Sequence, residues 1–304
     1  MNNIKNFYDN IDVLVTGGAG FIGSHIIKQL ISLNAKVTVL DNFSTGNLNN
    51  LKDVISKVNI IYGDITNPFT CKKATENKKI VFHLAALTSV AYSVLYPETC
   101  YKINITGTKN ILEACKINKI SKFIYSSSAS VYGNKNTECK ESDEPNPESP
   151  YAKSKLEGEK LCFEYNQKYN LNTAILRYFN VYGENQNPNG EYAAVVAKFK
   201  NCIKNNKPIT IFGTGKQTRD FIDVKEVANA NLLIATKDNL NNKIINIATG
   251  KSISLLELIN LLEADLNKKA KSIEFLPARA GDIIHSSANC QKYKNIIKDN
   301  VSSF

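Results

Sequence analysis

Short apolar runs alternate with helical repeats through the first half of the chain at a regular pace. Ile11-Asp-Val-Leu-Val-Thr16 reads as a buried strand, a helical pattern runs to about Leu33, and Lys36 to Leu40 reads as a second strand ending at Asp41. Val58 to Tyr62, Ile80 to Leu84 and Lys122 to Tyr125 repeat the strand pattern, with a helical stretch from Tyr101 to about Asn118 before the last. Strands and helices alternating in this way predict an α/β fold, a doubly wound parallel sheet that places ligands at the carboxyl ends of its strands. Beyond Tyr125 a polar segment from Asn134 to Pro150 reads as a surface loop, and Ser149 and Pro150 suit the N-cap and first position of a new helix. Asn172 to Arg177, Ile244 to Ala248 and Ser272 to Phe275 read as strands. Helices are predicted after Val196, over Lys225 to Thr236, and from Ser254 to about Leu266, the last opening with a Ser254-x-x-Glu257 capping box.

Composition narrows the class. The 304 residues, 43% hydrophobic and 22% charged, can bury the core of one large domain or two small ones. The net charge of +10 comes from scattered lysines rather than a basic block, which argues for attraction to anionic substrates and against a nucleic-acid partner. Seven cysteines, odd in number and without Cys-x-x-Cys, predict reduced thiols in the cytoplasm. Met1 to Asn10 lacks the apolar centre of a signal peptide and no apolar run reaches the ~18 residues of a membrane span, so a soluble protein is expected. His25, His83 and His285 stand apart, without ligand-spaced neighbours, and no metal site is expected.

Three patterns carry chemistry. Gly17-Gly18-Ala19-Gly20-Phe21-Ile22-Gly23 lies between the first strand and its helix, where a dinucleotide fold brings its backbone to a pyrophosphate. A glycine turn alone can be a mere tight turn, but Asp41 at the end of the next strand is placed for ribose hydroxyls, and its carboxylate favours NAD over NADP. Ser126-Ser127-Ser128-Ala129-Ser130 offers hydroxyls at a strand end, or simply a serine-rich turn. Tyr151 and Lys155 fall four apart on one helix face, where an ammonium lowers a phenol's pKa and makes it a base for an alcohol; on spacing alone they could also be a chance surface pair. Asp64, Ala85 and Asn104 would lie near the dinucleotide, although a turn explains Asp64 and a solvated helix position explains Asn104 equally well.

In this order on one sheet, these motifs resemble the extended short-chain dehydrogenase/reductase superfamily, and within it the NAD-dependent sugar-nucleotide epimerases, over nearly the whole chain. The resemblance implies a Rossmann-like domain over 1–178 and a smaller α/β substrate domain over 179–304, with some chain returning to the first. It assigns Ser128, Tyr151 and Lys155 as the catalytic trio. Gly17, Gly20, Phe21, Ile22, Gly23, Asp41, Asn42, Ser44, Gly46, Asp64, Ile65, Leu84, Ala85, Ala86, Asn104, Ser126 and Tyr178, with Tyr151 and Lys155, would hold NAD. Tyr151 would remove the sugar 4-hydroxyl proton, assisted by Ser128, while hydride passes to NAD; the 4-keto sugar would turn over and take the hydride back on its other face.

The second half adds substrate contacts by the same resemblance. Tyr178-Phe179-Asn180 matches the junction segment and Gln186 to Val196 the uridine-diphosphate pocket, so Asn180, Ala194, Val195 and Phe212 are expected there. Arg219 and Arg279 suit a diphosphate and Asp282 ribose hydroxyls, although either arginine alone would read as a surface ion pair. Thr88 and Ser89 would line the sugar. The related 4,6-dehydratases carry Asp-Glu where this chain has Ala129-Ser130, and the pentose-forming decarboxylases a Glu at Ser130, which leaves epimerisation. Ser286 stands where some glucose-restricted relatives place Tyr; its small side chain predicts room for a 2-acetamido group, unless it is a plain loop hydroxyl. Activity on UDP-N-acetylglucosamine and UDP-glucose is expected, with a UDP-hexuronate enzyme, a dehydratase or decarboxylase, or a silent NAD sensor as alternatives. The helices from Tyr101 and Tyr151 match those by which relatives of this family dimerise as a four-helix interface, so the resemblance implies a homodimer. Such epimerases usually continue past the region of Asn289 through another helix, whereas this chain stops at Phe304, so either a terminal element is absent or the sequence is truncated.

Overall fold

The computed structural model describes residues 2–135, 137–187, 195–278 and 284–301. In chain order the first half runs α1 (Asn2–Tyr8), β1 (Asp12–Thr16), α2 (Phe21–Ser32), β2 (Lys36–Asp41), β3 (Val58–Tyr62), α3 (Pro68–Thr75), β4 (Ile80–His83), α4 (Val90–Leu95), α5 (Pro97–Tyr101), α6 (Gly107–Ile117), β5 (Lys122–Ser128) and α7 (Pro150–Tyr169). The second half runs β6 (Thr173–Tyr178), β7 (Asn180–Tyr182), α8 (Val195–Lys204), β8 (Ile209–Phe212), β9 (Thr218–Asp223), α9 (Val224–Ala235), β10 (Lys243–Ile247), β11 (Ser252–Ser254), α10 (Leu255–Leu266), β12 (Ile273–Leu276), β13 (His285–Ser286) and α11 (Gln291–Val301).

Seven parallel strands form the main sheet in the order β10-β6-β5-β4-β1-β2-β3, a Rossmann-like α/β arrangement. Successive side chains of β1 leave on opposite faces: Val13 and Val15 join α2 and α9 in one core, and Leu14 joins α3, α6 and α7 in the other. The order reverses between β1 and β4, so the carboxyl ends of these strands open a crevice at Thr16 and His83. A second core gathers Val196, Phe199 and Ile203 of α8, Ile209 and Ile211 of β8, and Leu255, Leu258, Ile259 and Leu262 of α10. Ser149 accepts from the Ala152 amide and Pro150 opens α7, while the Ser254–Glu257 capping box opens α10 as expected. Asparagine does the work usual for glycine at helix ends: Asn34, Asn77, Asn170 and Asn267 follow or close helices with φ between 46° and 63°.

Several elements differ from the sequence reading. β5 continues past the predicted Tyr125 to Ser128, so Ser126, Ser127 and Ser128 stand at the strand end, and Ser130 lies in the 3-10 turn that follows. The predicted helix over 101–118 starts at Pro97 and contains a π turn, Lys102–Thr106, between α5 and α6. Thr218–Asp223, where the sequence reading marked only the cation Arg219, is a strand that buries Asp220 and Ile222; Asp220 is satisfied by the Thr249 amide and hydroxyl and the Gly250 amide. Where the sequence reading left open an absent terminal element, a helix, α11, follows Asn289, and its Tyr293 and Ile296 join the α2/α9 core.

Candidate active site

Three strand ends and one helix N-terminus converge at the crevice. Gly17 takes φ +67°, and a Cβ there would lie 2.7 Å from the Ala85 nitrogen, so the glycine turn and the end of β4 can close together only without a side chain. Gly23 likewise packs on the Gly17 carbonyl, which a Cβ would meet at 2.4 Å. Thr16 Oγ1 accepts from the Leu84 and Ala85 amides at 3.2 Å each and pairs with His83 Nδ1. No side chain caps α2 at Gly20, so the first-turn amides, Phe21 and Ile22 among them, face the crevice end of a helix dipole suited to a pyrophosphate.

The loop after β2 is built around Asp41. Its buried carboxylate accepts from the Ala19 amide at 2.9 Å and the Phe43 amide at 2.8 Å, and Gly46 packs so close that a Cβ would fall 2.9 Å from Oδ1. Phe43 adopts φ +56°, an uncommon conformation for an aromatic residue that the sequence reading missed. Asn42 joins the Ser44 amide to Asp64, donating to its carboxylate at 2.8 Å. Burial opposes the charge on Asp64, but bonds from Thr66 and Asn42 and the nearby Lys102 outweigh it and hold its pKa below the usual carboxylate value. Ile65 is buried against Gly107. Asn104 differs from expectation in its role: its buried amide bonds to the Leu87 amide and carbonyl and to Ser154 Oγ, so it clamps the loop that carries Leu84, Ala85 and Ala86.

At the carboxyl end of β5, Ser128 and Tyr151 border one cavity of about 220 Å³ with Val90, Ser130, Gly133, Lys135, Tyr178, Phe179, Asn180, Arg219, His285 and Ser286. Tyr151 stands in the first turn of α7, where its amide lacks a helical partner and donates to Ser93 Oγ at 3.1 Å. Burial pushes its phenol above the ordinary value, while a hydrogen bond with the Ser128 hydroxyl pulls the other way. The expected lowering by Lys155 is therefore not realised, because desolvation of the phenolate is the larger effect. Lys155 itself is buried and donates to the Ser126 carbonyl at 2.8 Å, and burial drags its pKa down to about 8. Ser126 Oγ pairs with the Tyr178 hydroxyl, which donates to Asn231 Oδ1 at 2.8 Å.

Other expected residues are distributed unevenly. Asn180 donates to the Asp220 carbonyl at 2.9 Å and lies 3.5 Å from Ser286 Oγ, and Arg219 donates to the Thr218 carbonyl. Val90, rather than Thr88 or Ser89, supplies the neighbouring cavity wall; Thr88 is exposed, and Ser89 caps α4 by accepting from the Tyr92 amide. Val195 begins α8 and Phe212 ends β8, both partly buried and outside this cavity. Ala194, Arg279 and Asp282 lie outside the described residues. Lys135 is a cavity residue that sequence reasoning missed, since it lies in a loop with no periodic pattern to aim it inward; His285, at the head of β13, borders the cavity beside Ser286. A larger cavity of about 1,150 Å³ between α8, α10 and α11 contains none of the catalytic candidates. Among the described residues no cluster of three His, Cys, Asp or Glu side chains is arranged to hold a metal, and no helix is long and apolar enough to cross a membrane.

Residues 13–248 match the model of the NAD dependent epimerase/dehydratase family. The chain belongs to this family. Its members use NAD, and the uncapped α2, the glycines pressed against Ala85 and the Asp41 loop fit a dinucleotide. The chain is 40% identical to a putative UDP-glucose 4-epimerase of Methanocaldococcus jannaschii over 287 residues, 93% of this chain and 92% of that protein. A solved UDP-N-acetylglucosamine 4-epimerase of Methanobrevibacter ruminantium, in complex with UDP-N-acetylmuramic acid, superposes with TM-score 0.91 at 41% identity, covering 95% and 92% of the two chains. The UDP-glucose 4-epimerase of Thermotoga maritima with UDP-glucose gives TM-score 0.88 at 35% identity, covering 94% and 92%.

Proposed function

We propose that the protein is an NAD-dependent 4-epimerase of UDP-hexoses, interconverting UDP-N-acetylglucosamine with UDP-N-acetylgalactosamine and UDP-glucose with UDP-galactose. The carrying observation is the contact of the Tyr151 phenol with the Ser128 hydroxyl at the wall of a sugar-sized cavity, at the carboxyl end of a central strand. In this reading Tyr151 takes the proton of the sugar 4-hydroxyl and later returns it, and Ser128 orients that hydroxyl through a second hydrogen bond. Lys155 places a positive charge one helical turn from the phenol, favouring its anion at the moment of transfer. NAD, when bound, accepts hydride from the sugar and gives it back.

Residues 1–178 would mainly hold the dinucleotide and 179–304 the UDP-sugar, with Asn180, Ala194, Val195, Phe212, Arg219, Arg279 and Asp282 around the nucleotide. Ala129 and Ser130 provide no carboxylate for dehydration or decarboxylation, which supports epimerisation. Ser286 borders the cavity, and its small side chain supports a reading in which an acetamido group is accommodated there. A cytoplasmic homodimer belongs to the same reading, checked by the mass in solution. A UDP-hexuronate epimerase is the second reading, favoured by Lys135 on the cavity wall, whose ammonium would have to exchange its Asp143 partner for a sugar carboxylate.

The test incubates NAD-loaded protein with a panel of UDP-hexoses and UDP-hexuronates and separates the products. UDP-N-acetylgalactosamine from UDP-N-acetylglucosamine is the expected result. Exclusive turnover of hexuronates selects the second reading, and no product from any sugar rejects both.

A further inference from the structure

Behind the serine strand lies a buried ion pair that the proposed chemistry does not use. Arg177 of β6 sits directly across from Ser127 of β5 in the sheet register. Glu159 reaches both from α7: it accepts from Arg177 Nε at 2.9 Å and from its NH2 at 2.7 Å, and Ser127 Oγ donates to the same carboxylate at 2.5 Å. Both charged side chains are 1% exposed, and the guanidinium lies over the Tyr132 ring, 4.6 Å from its centre.

We propose that Glu159 is a positioning residue: clamped by Arg177, it ties the serine strand to α7 one turn beyond Lys155 and so sets where Ser128 stands relative to Tyr151. This rests on the epimerase reading. A buried ion pair adds little net stability over apolar residues of the same volume. What it adds is direction, because a bidentate fork holds one geometry of carboxylate and guanidinium. Ser127 immediately precedes Ser128, and Ser126 supplies the carbonyl that Lys155 grips, so three consecutive strand residues are registered against one helix. Small errors in such a registration are costly to proton transfer, which depends on hydrogen-bond reach.

The surroundings of Lys155 give the clamp a second, measurable consequence. The groups around it are Cys100 from α5, Cys162 from its own helix, His83 from β4 and the Tyr125 ring, with Tyr151 one turn earlier on α7. The thiols and phenols have raised pKa values and that of His83 is lowered to about 3, so all are uncharged near neutral pH. Cys100, Glu159 and Cys162 all favour the ammonium, and of the three Glu159 is the one held as a carboxylate, by its pair with Arg177.

The experiment compares wild type, Ser127→Ala and Glu159→Gln, all NAD-loaded. It reads kcat and KM for UDP-glucose against pH, and the Lys155 titration by NMR of lysine-labelled protein assigned with Lys155→Met. Ser127→Ala is expected to lose about tenfold in kcat with KM within about twofold. Glu159→Gln is expected to lose more, and its alkaline limb and Lys155 midpoint should both move to lower pH by about 0.5 or more. Wild-type kcat and KM in Ser127→Ala overturn the proposal, as does an unmoved Lys155 midpoint in Glu159→Gln. Should Glu159→Gln fail to fold, Ser127→Ala decides alone. A wild type inactive on every UDP-hexose would reject the epimerase reading separately, leaving the Lys155 titration to judge the clamp.

Discussion

The Lys155 ammonium donates to the Ser126 carbonyl 2.8 Å away, fastening helix α7 to the end of the central strand through a charged group. Burial lowers the pKa of this lysine to about 8, below its ordinary 10.5. An amine is protonated below its pKa, so the ammonium predominates in neutral solution and is lost as pH rises through about 8. Turnover should fall along an alkaline limb centred near that pH. A rate constant flat to about pH 10 would show that the charge is not needed.

Tyr151→Phe keeps the ring and removes the proton acceptor. Epimerisation should drop about 10²–10⁴-fold. UDP-glucose binding to the NAD-loaded protein, followed by calorimetry, should change little. Retained turnover would remove the phenol from the mechanism.

Ser286→Tyr adds bulk to the wall of the cavity that Ser128 also borders. The ratio of kcat/KM for UDP-N-acetylglucosamine over UDP-glucose is expected to fall by about 10- to 200-fold, the scale on which a pocket rejects a few extra atoms. Equal loss of both substrates would refute a size gate at this position.

Gly158→Ala sets two effects against each other on α7. Alanine favours the helix by about 1 kcal/mol. Its Cβ, however, would lie 2.0 Å from the Tyr125 hydroxyl oxygen and 2.4 Å from Cζ of that fully buried ring. Overpacking of this kind costs about 1–3 kcal/mol. We expect net destabilisation in a urea titration; a higher midpoint would mean that the Tyr125 ring can yield.

His83 is buried between Thr16 Oγ1 and Thr108 Oγ1, and burial, aided by Lys155, lowers its pKa to about 3. The unfolded chain takes up this proton near 6.5, the folded one only near 3. The neutral ring thus contributes stability that is complete above pH 6.5 and is lost progressively as pH falls to 3. His83→Gln should melt below wild type at neutral pH, with the difference shrinking in acid. A constant difference across that range would exclude this proton linkage.

The alternation of apolar runs and helices was enough to read the parallel sheet, because each strand buried on both faces must be apolar throughout, as in Val13-Leu14-Val15. The glycine turn, Asp41 and the Tyr151–Lys155 turn were legible for a similar reason: their chemistry depends on local backbone geometry, which spacing encodes. Tertiary structure alone decided what each side chain meets. Asn104 lies in the π turn between α5 and α6 and is committed to the Leu87 backbone, and spacing could not reveal that partner. Glu159 and Arg177 are 18 residues apart in sequence, on a helix and a strand, and become a pair only when α7 lies across the sheet. The strand Thr218–Asp223 escaped notice because its inward Asp220 is stabilised by Thr249 and Gly250, contacts invisible to a hydrophobic pattern. The pKa values followed the same division, since proximity along the chain suggested an acidic Tyr151, whereas its burial in the folded site raised it.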